Sequence, residues 1–394
     1  MAEADAKKRA VIVGSGVAGV TAAHALLQID WDVTVLEKAA DVHNLYVGSG
    51  IHLWNNTMRA VNMLGLTDRV TAVSGKGAVV EHMKFFTPKG KLLADVKCGE
   101  LGRKIGGDCV GVNRAELLPS LAEALPAGVI QTGREFSSFE QDADGVTAKL
   151  ADGSEERADV LVGADGLHST VRRLILGELP PPRYAGYTIW QGIVTKASTE
   201  LAPIGDFPLV YGPGLRFCYY RVDDDRLYWF AVANAEEGGH DEPGIKNWLH
   251  DVFKGWMDPV NAIIDATEEA AIHRRDLYDR DPITTWGEGR VTLIGDAAHP
   301  MTFDIGQGAG QGIEDAVVLK RCLSETDDIP AALRSYEKQR QPRTAHMQKL
   351  SRNVGKWGRW KSPVAVTVRN VGTRLTLGNP IAVKQFEKDL AYDF

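Results

Sequence analysis

Short apolar runs, each ending at a glycine or an acidic residue, recur along the chain and predict strands of a parallel sheet. Ala10-Val11-Ile12-Val13 has no polar side chain, which suits a strand covered on both faces. Val33-Thr34-Val35-Leu36, Asp159-Val160-Leu161-Val162 and Arg290-Val291-Thr292-Leu293-Ile294 repeat the pattern. A helix is predicted through Thr21–Leu27, and another starts near Gly308. Residues 181 to 284 read differently. They are rich in Tyr and Trp and alternate in polarity, as in Tyr184-Ala185-Gly186-Tyr187-Thr188-Ile189-Trp190, which predicts an antiparallel sheet packed on both faces. The stretch from Ala78 to Val96 is expected to join that sheet. Pro243 to Asp258 and Pro259 to Glu269 read as helices, and the basic stretch from Ala331 onward has helical periodicity.

The fold class expected is therefore α/β: a Rossmann-like domain with an inserted antiparallel sheet domain and a C-terminal helical tail. Residues 1–70, 100–180 and 285–345 form the discontinuous first domain. Residues 71–99 and 181–284 form the sheet domain, and 346–394 the tail, which packs across the first domain or helps to form a dimer. Monomer and homodimer both stay open.

Composition narrows the function classes. The 394 residues are 44% hydrophobic and 25% charged, with a net charge of −7 and a pI near 5.8. Such a chain has ample core and lacks the net basic surface that nucleic acid requires. Cys98, Cys109, Cys218 and Cys322 are scattered without a CxxC pair, and no metal-ligand cluster is apparent. Lys7-Lys8-Arg9 before the apolar run to Leu27 imitates a secretory signal, but the glycines inside the run fit a strand-turn-helix better. No other apolar run approaches the ~20 residues of a membrane span. A soluble cytoplasmic protein without a membrane or nucleic-acid partner is expected.

Chemistry enters with the first glycines. In Gly14-Ser15-Gly16-Val17-Ala18-Gly19, Gly14 permits a tight turn, Gly16 lets backbone approach a pyrophosphate, and Gly19 lets helix pack on strand. The following helix N-terminus is an anion site. Glu37 at the end of the next strand can accept from ribose hydroxyls and would repel a ribose phosphate, so FAD or NAD(H) fits and NADP(H) does not. Two further segments favour the flavin: Gly163-Ala164-Asp165-Gly166 and Gly295-Asp296-Ala297-Ala298-His299-Pro300. Asp296, at a strand's carboxyl end, can bond ribityl or ribose hydroxyls. The N–H groups near Gly306-Gln307-Gly308 can hold an electron-rich oxygen. No second strand-GxGxxG-helix unit is present.

On these three segments the chain resembles the single-component FAD-dependent aromatic hydroxylases, the group A flavoprotein monooxygenases of para-hydroxybenzoate hydroxylase-like fold. Val112-Asn113-Arg114-Ala115-Glu116-Leu117-Leu118 resembles the helix start whose arginine approaches the flavin, and Gly50–Asn56 the loop crossing the isoalloxazine. The resemblance implies FAD held by Gly14, Gly16, Val17, Ala18, Gly19, Glu37, Lys38, Ile51, Arg114, Asp165, Asp296, Gly306, Gly308 and Ala309. It also implies NAD(P)H as reductant, and O2 activated as a C4a-hydroperoxyflavin that hydroxylates a small electron-rich aromatic or heteroaromatic ring.

Candidate substrate residues lie on the hairpin Gly214–Tyr220 and Leu227–Phe230. A two-residue turn puts Arg216 and Tyr228 on opposite faces, whereas a three-residue turn at Asp223-Asp224-Asp225 puts Arg216, Cys218, Tyr220, Tyr228 and Phe230 together. An arginine there would stabilise a ring made anionic by proton loss, and a tyrosine would orient it. Arg216, Tyr228 and Asp304 match in order and spacing the substrate arginine, tyrosine and aspartate of the FAD-dependent urate hydroxylases. Phe303 departs from the family's proline. The structural alternatives are a surface ion pair of Arg216 with Asp206 or Glu236, plain core for Tyr228, and a helix cap for Asp304. His299 reads as structural, and His52 and Trp190 as pocket walls or packing. A monooxygenase of a bulkier polyketide or alkaloid, and a catalytically silent flavin-binding protein, are the rival functions.

Overall fold

Val13, Gly163 and Leu293 lie side by side, because their strands are neighbours in register within one parallel sheet. This computed structural model describes residues 7–41, 49–195, 201–239, 244–377, 384 and 387–394. The sheet runs in the order Val291–Leu293, Val160–Gly163, Arg9–Val13, Asp32–Glu37 and Ile130–Thr132. All its pairings are parallel. Three glycine segments far apart in the chain thus leave the same sheet edge, where open α/β sheets bind ligands. The helices Val17–Leu27 and Gly308–Glu325 pack together beside this edge.

The second sheet has seven strands in the order His273–Asp279, Arg183–Val194, Leu227–Ala233, Leu215–Arg221, Asp206–Tyr211, His82–Phe86 and Leu92–Val96. The Ala78–Val96 stretch does join it. The sheet is not wholly antiparallel, since Asp206–Tyr211 pairs in parallel with His82–Phe86. These two strands come from distant parts of the chain, and only a long connection permits a parallel pair. The sheet face turned away from the cavity packs Phe217 and Trp229, stacked at 5.4 Å, against the helices Ile245–Val252 and Val260–Ala266. Both helices are shorter than expected, and Pro243 lies outside the described residues.

Two features depart from the sequence reading. The segment 100–180 contains a three-stranded antiparallel meander, Phe136–Gln141, Val146–Leu150 and Glu155–Ala158. Its turns Asp142–Gly145 and Asp152-Gly153, with the alternation of Val146–Leu150, carried the signal. At the C-terminus, one helix of 30 residues, Ile329–Gly358, runs through residue 346 without a break. The next helix, Pro363–Leu377, packs against the edge strand Leu92–Val96 of the second sheet, whereas Tyr392 and Phe394 pack on the dinucleotide domain, Tyr392 O accepting from Arg59 Nη1 at 3.0 Å. Arg369 anchors the helix, donating to the carbonyls of Gly212 at 2.9 Å and Tyr211 at 3.3 Å. Among the described residues, no helix is long and apolar enough to cross a membrane.

Candidate active site

The hairpin turn decides which side chains meet. Val222 N–H donates to Arg226 O at 3.0 Å, which leaves Asp223, Asp224 and Asp225 as a three-residue loop. Tyr220 then pairs with Tyr228, Cys218 with Phe230, and Arg216 with Val232. Arg216, Cys218, Tyr220, Tyr228 and Phe230 therefore share one face, and all five line a cavity of about 1280 Å³.

Arg216 is 4% exposed and makes no surface ion pair. Asp206, one of its expected partners, binds Lys84 instead. The Arg216 guanidinium meets the Asp304 carboxylate at 2.6 Å, and the Tyr187 hydroxyl donates to the other Asp304 oxygen. Both carboxylate oxygens are thus engaged, and the Asp304 side chain has no exposed surface. It does not cap the following helix, whose first turn receives no side-chain cap. Arg216 also lies over the rings of Tyr187, Tyr211 and Phe303 at 5.3 to 5.9 Å. Burial alone would lower the Arg216 pKa, yet the Asp304 charge outweighs it and holds the guanidinium protonated. Burial beside that carboxylate likewise pushes the Tyr187 hydroxyl far above the ordinary phenol range.

Behind this cluster the long C-terminal helix comes close. A side chain at Gly355 would strike Asp304 and Tyr187, and one at Gly358 would strike Arg216 Nε, each within 2.8 Å. Among the described residues, Arg216 Nε and Nη2 have no acceptor. The backbone of Gly358 closes the Nε side. Tyr228 is buried too, its hydroxyl donating to Gln191 Oε1 at 2.6 Å and its ring pressed on the backbone of Gly50. Phe303 meets Phe230 edge-to-face at 5.0 Å and narrows this end of the cavity. His52 is buried against Phe207, Trp54 and Cys109, and desolvation pushes its pKa down to about 3. The sequence reading missed Tyr187, Tyr211 and Gln191. Tyr187 and Gln191 are four residues apart on one strand and share the face of Ile189, so alternation carried a signal that could have found them.

The other end of the same cavity is the glycine edge. Gly14 has φ +102° and a Cβ there would lie 2.6 Å from Ala164 O, while one at Gly19 would lie 1.9 Å from Gly14 O. Both positions need hydrogen in place of a side chain. Glu37 accepts from Ser15 N–H at 2.9 Å, Ser15 Oγ at 2.8 Å and Ala39 N–H at 2.8 Å, so it braces the first turn as well as bordering the cavity. Asp165 accepts from Ser169 Oγ at 2.5 Å and from Thr170 N–H at 2.7 Å, which ties it to the start of the helix Thr170–Leu176. Asp296 instead opens into the cavity. Its surroundings desolvate it on the other sides and raise its carboxyl above the ordinary range. Gly16, Val17, Ala18, Lys38, Ile51, Arg114, Gly306, Gly308 and Ala309 also line the cavity.

A buried charge network locks these segments, and the sequence reading found only its edge. Asp315 accepts from Gly295 N–H at 2.9 Å, from His299 Nε2 at 2.6 Å and from Arg340 Nε at 2.7 Å. Glu314 pairs with Arg340 and Arg343, each at 2.7 Å. His299 is fully enclosed and structural. Arg172 donates to Ala297 O and Ala298 O at 3.3 Å, joining the second glycine segment to the third.

Known proteins share this fold. The sequence matches the FAD binding domain family over residues 7–351. The chain belongs to the FAD-dependent aromatic hydroxylases. The aurachin C monooxygenase/isomerase of Stigmatella aurantiaca is 36% identical, over 91% of this chain and 92% of that protein. The FAD-dependent urate hydroxylase of Mycolicibacterium vanbaalenii is 34% identical, over 86% of each chain. Klebsiella pneumoniae HpxO, crystallised with FAD and uric acid, superposes with a TM-score of 0.89 at 30% identity, covering 98% of this chain and 97% of HpxO. FAD is the cofactor of the family, and the observed cradle fits it: side-chain-free glycines at the pyrophosphate turn, a carboxylate open to the cavity at Asp296, and helix N–H groups at Gly308 and Ala309.

Proposed function

We propose that this hydroxylase uses NAD(P)H and O2 to hydroxylate an electron-rich aromatic or heteroaromatic ring held by Arg216 and Tyr228. The observation that carries the reading is a buried arginine, fixed by Asp304, that lines the same cavity as the FAD cradle. Bound FAD, reduced by NAD(P)H, supplies the O2 activation that ends in transfer of one oxygen atom to the ring.

The chain's own residues prepare that ring. Arg216 Nη2 donates to an oxygen of the substrate and favours its deprotonated form, which is richer in electrons. Asp304 is a positioning residue, because its enclosed carboxylate reaches the substrate only through Arg216. The Tyr228 hydroxyl spends its proton on Gln191 and keeps its oxygen as an acceptor toward the ring. At the cofactor, Gly14, Gly16 and Gly19 admit the pyrophosphate, with Val17 and Ala18 supplying N–H groups. Glu37 and Lys38 border the adenosine end. Ile51, Arg114, Asp165 and Asp296 would hold the remaining flavin groups, and Gly306, Gly308 and Ala309 would offer backbone to the pyrimidine oxygen.

Purified protein carrying FAD tests this directly. Purines, hydroxypyridines and phenols are offered with NADH or NADPH in an oxygen electrode, and products are identified by mass. At least one ring is expected to stimulate NAD(P)H oxidation with matching O2 uptake and a product heavier by one oxygen. Hydrogen peroxide as the sole product from every ring would overturn the reading.

A further inference from the structure

We infer that the substrate is an aromatic ring bearing an extended apolar substituent, its ring at Arg216 and its substituent lying across the sheet toward the C-terminal helix. This rests on the hydroxylase reading above and adds the class of substrate.

The argument begins with register. Cys218 pairs with Leu209, Leu209 with Phe85, Phe207 with Met83, and Met83 with Val96. Paired residues share a face, so the wall that starts at Tyr228 and Phe230 continues over four more strands without a charged side chain on that face beyond Arg216. Neighbouring strands are about 4.8 Å apart, so the wall from Tyr228 to Val96 spans about 19 Å. That is several times the width of one aromatic ring. Met83, Phe85, Val96, Phe207 and Leu209 all line the same continuous cavity as the FAD cradle.

The far end is closed by the helix Pro363–Leu377, which presents Val368, Gly372 and Leu377, and by Leu390. Polar groups at this end already have partners. Thr373 Oγ1 donates to Arg369 O at 3.0 Å, and Thr376 Oγ1 to Gly372 O at 2.8 Å. The Arg369 guanidinium serves the carbonyls of Gly212 and Tyr211. Gly50 and His52 already cover Tyr228, Tyr220 and Phe207, and Met83 and Val96 are buried, so the open part of the wall is the half-buried pair Phe85 and Leu209, which a compact ring at Arg216 would leave uncovered. An alkyl or prenyl-like substituent would cover it, and each methylene buried there strengthens binding.

Gly372 supplies a selective obstacle. It sits in a helix, lines the cavity, and a Cβ added there meets no atom within 4 Å. The experiment titrates FAD-loaded protein with 4-ethylphenol, 4-butylphenol, 4-hexylphenol and urate, following the flavin absorbance. In the natural protein, Kd is expected to fall along the phenol series, by at least ~30-fold from ethyl to hexyl. In Gly372→Trp, the hexyl-to-ethyl affinity ratio is expected to drop at least ~10-fold. A flat series, tighter binding of urate than of 4-hexylphenol, or an unchanged ratio in the variant would overturn the substrate class. Hydroxylation of any ring in the oxygen-electrode assay would still uphold the hydroxylase reading, so the two failures are separable.

Discussion

Arg216 keeps its charge in a buried setting because Asp304 is 2.6 Å away, and the pair leaves guanidinium N–H groups without an acceptor among the described residues. Replacing it with the shorter, uncharged methionine removes those donors and leaves Tyr187 as the remaining partner of the Asp304 carboxylate. Arg216→Met is expected to lower kcat/KM for the stimulating ring at least ~10-fold, about 1.4 kcal/mol, while FAD stays bound. Stopped-flow reduction together with steady-state turnover measures it, and unchanged turnover would remove Arg216 from the site. His52 makes a different prediction. Desolvation holds its pKa at about 3, below the ~6.5 of an unfolded histidine, so the unfolded chain takes up the proton first. The stability contributed by neutral His52 is complete above about pH 6.5 and is lost as pH falls from there toward 3. A melting series from about pH 7 to 4.5 should therefore slope less in His52→Phe than in the natural protein. Parallel slopes would mean that His52 does not titrate in this window.

At the scale of elements, the decisive contact is between two helix N-termini. A Cβ at Gly312 would lie 2.9 Å from the Ala18 side chain, and one at Gly295 would lie 2.7 Å from it. The helices Val17–Leu27 and Gly308–Glu325 can approach only because these positions carry hydrogen, and both helix ends border the FAD cradle. Gly312→Val is expected to push them apart, costing about 1–3 kcal/mol and weakening FAD at least ~10-fold. Flavin fluorescence on dilution reads the affinity, and retention equal to the natural protein would show that the spacing is not critical. Much of this level was legible. Glycines at the ends of apolar runs announced the cradle, because tight turns and close packing exclude side chains wherever they occur. The hairpin was legible only as two alternatives. Three consecutive aspartates allow either turn, and the bond from Val222 N–H to Arg226 O selects one.

Across the whole molecule, the long helix Ile329–Gly358 binds the two sheets into one site. Arg340 and Arg343 neutralise Glu314 and Asp315 beneath the FAD cradle, and Gly355 and Gly358 lie over Asp304 and Arg216. Arg340→Met would leave a buried carboxylate with too little counter-charge. A loss of about 3–5 kcal/mol in urea unfolding is expected, and a loss below about 1 kcal/mol would show that Arg343 and His299 compensate. Only the edge of this network, at Gly295 and His299, was visible beforehand, since helical periodicity reports which residues are apolar and says nothing about which buried charges will meet.

By itself the sequence determined the glycine-ended strands, the dinucleotide class and the set of side chains able to share a hairpin face. These depend on chemistry between residues a few positions apart, which periodicity records. The tertiary structure alone decided that the Asp304 carboxylate is taken up by Arg216 and Tyr187, partners 88 and 117 residues away. It also decided that the apolar wall reaches the C-terminal helix. Such pairings follow from strand order and from how sheet and helix pack, and no local pattern carries that information.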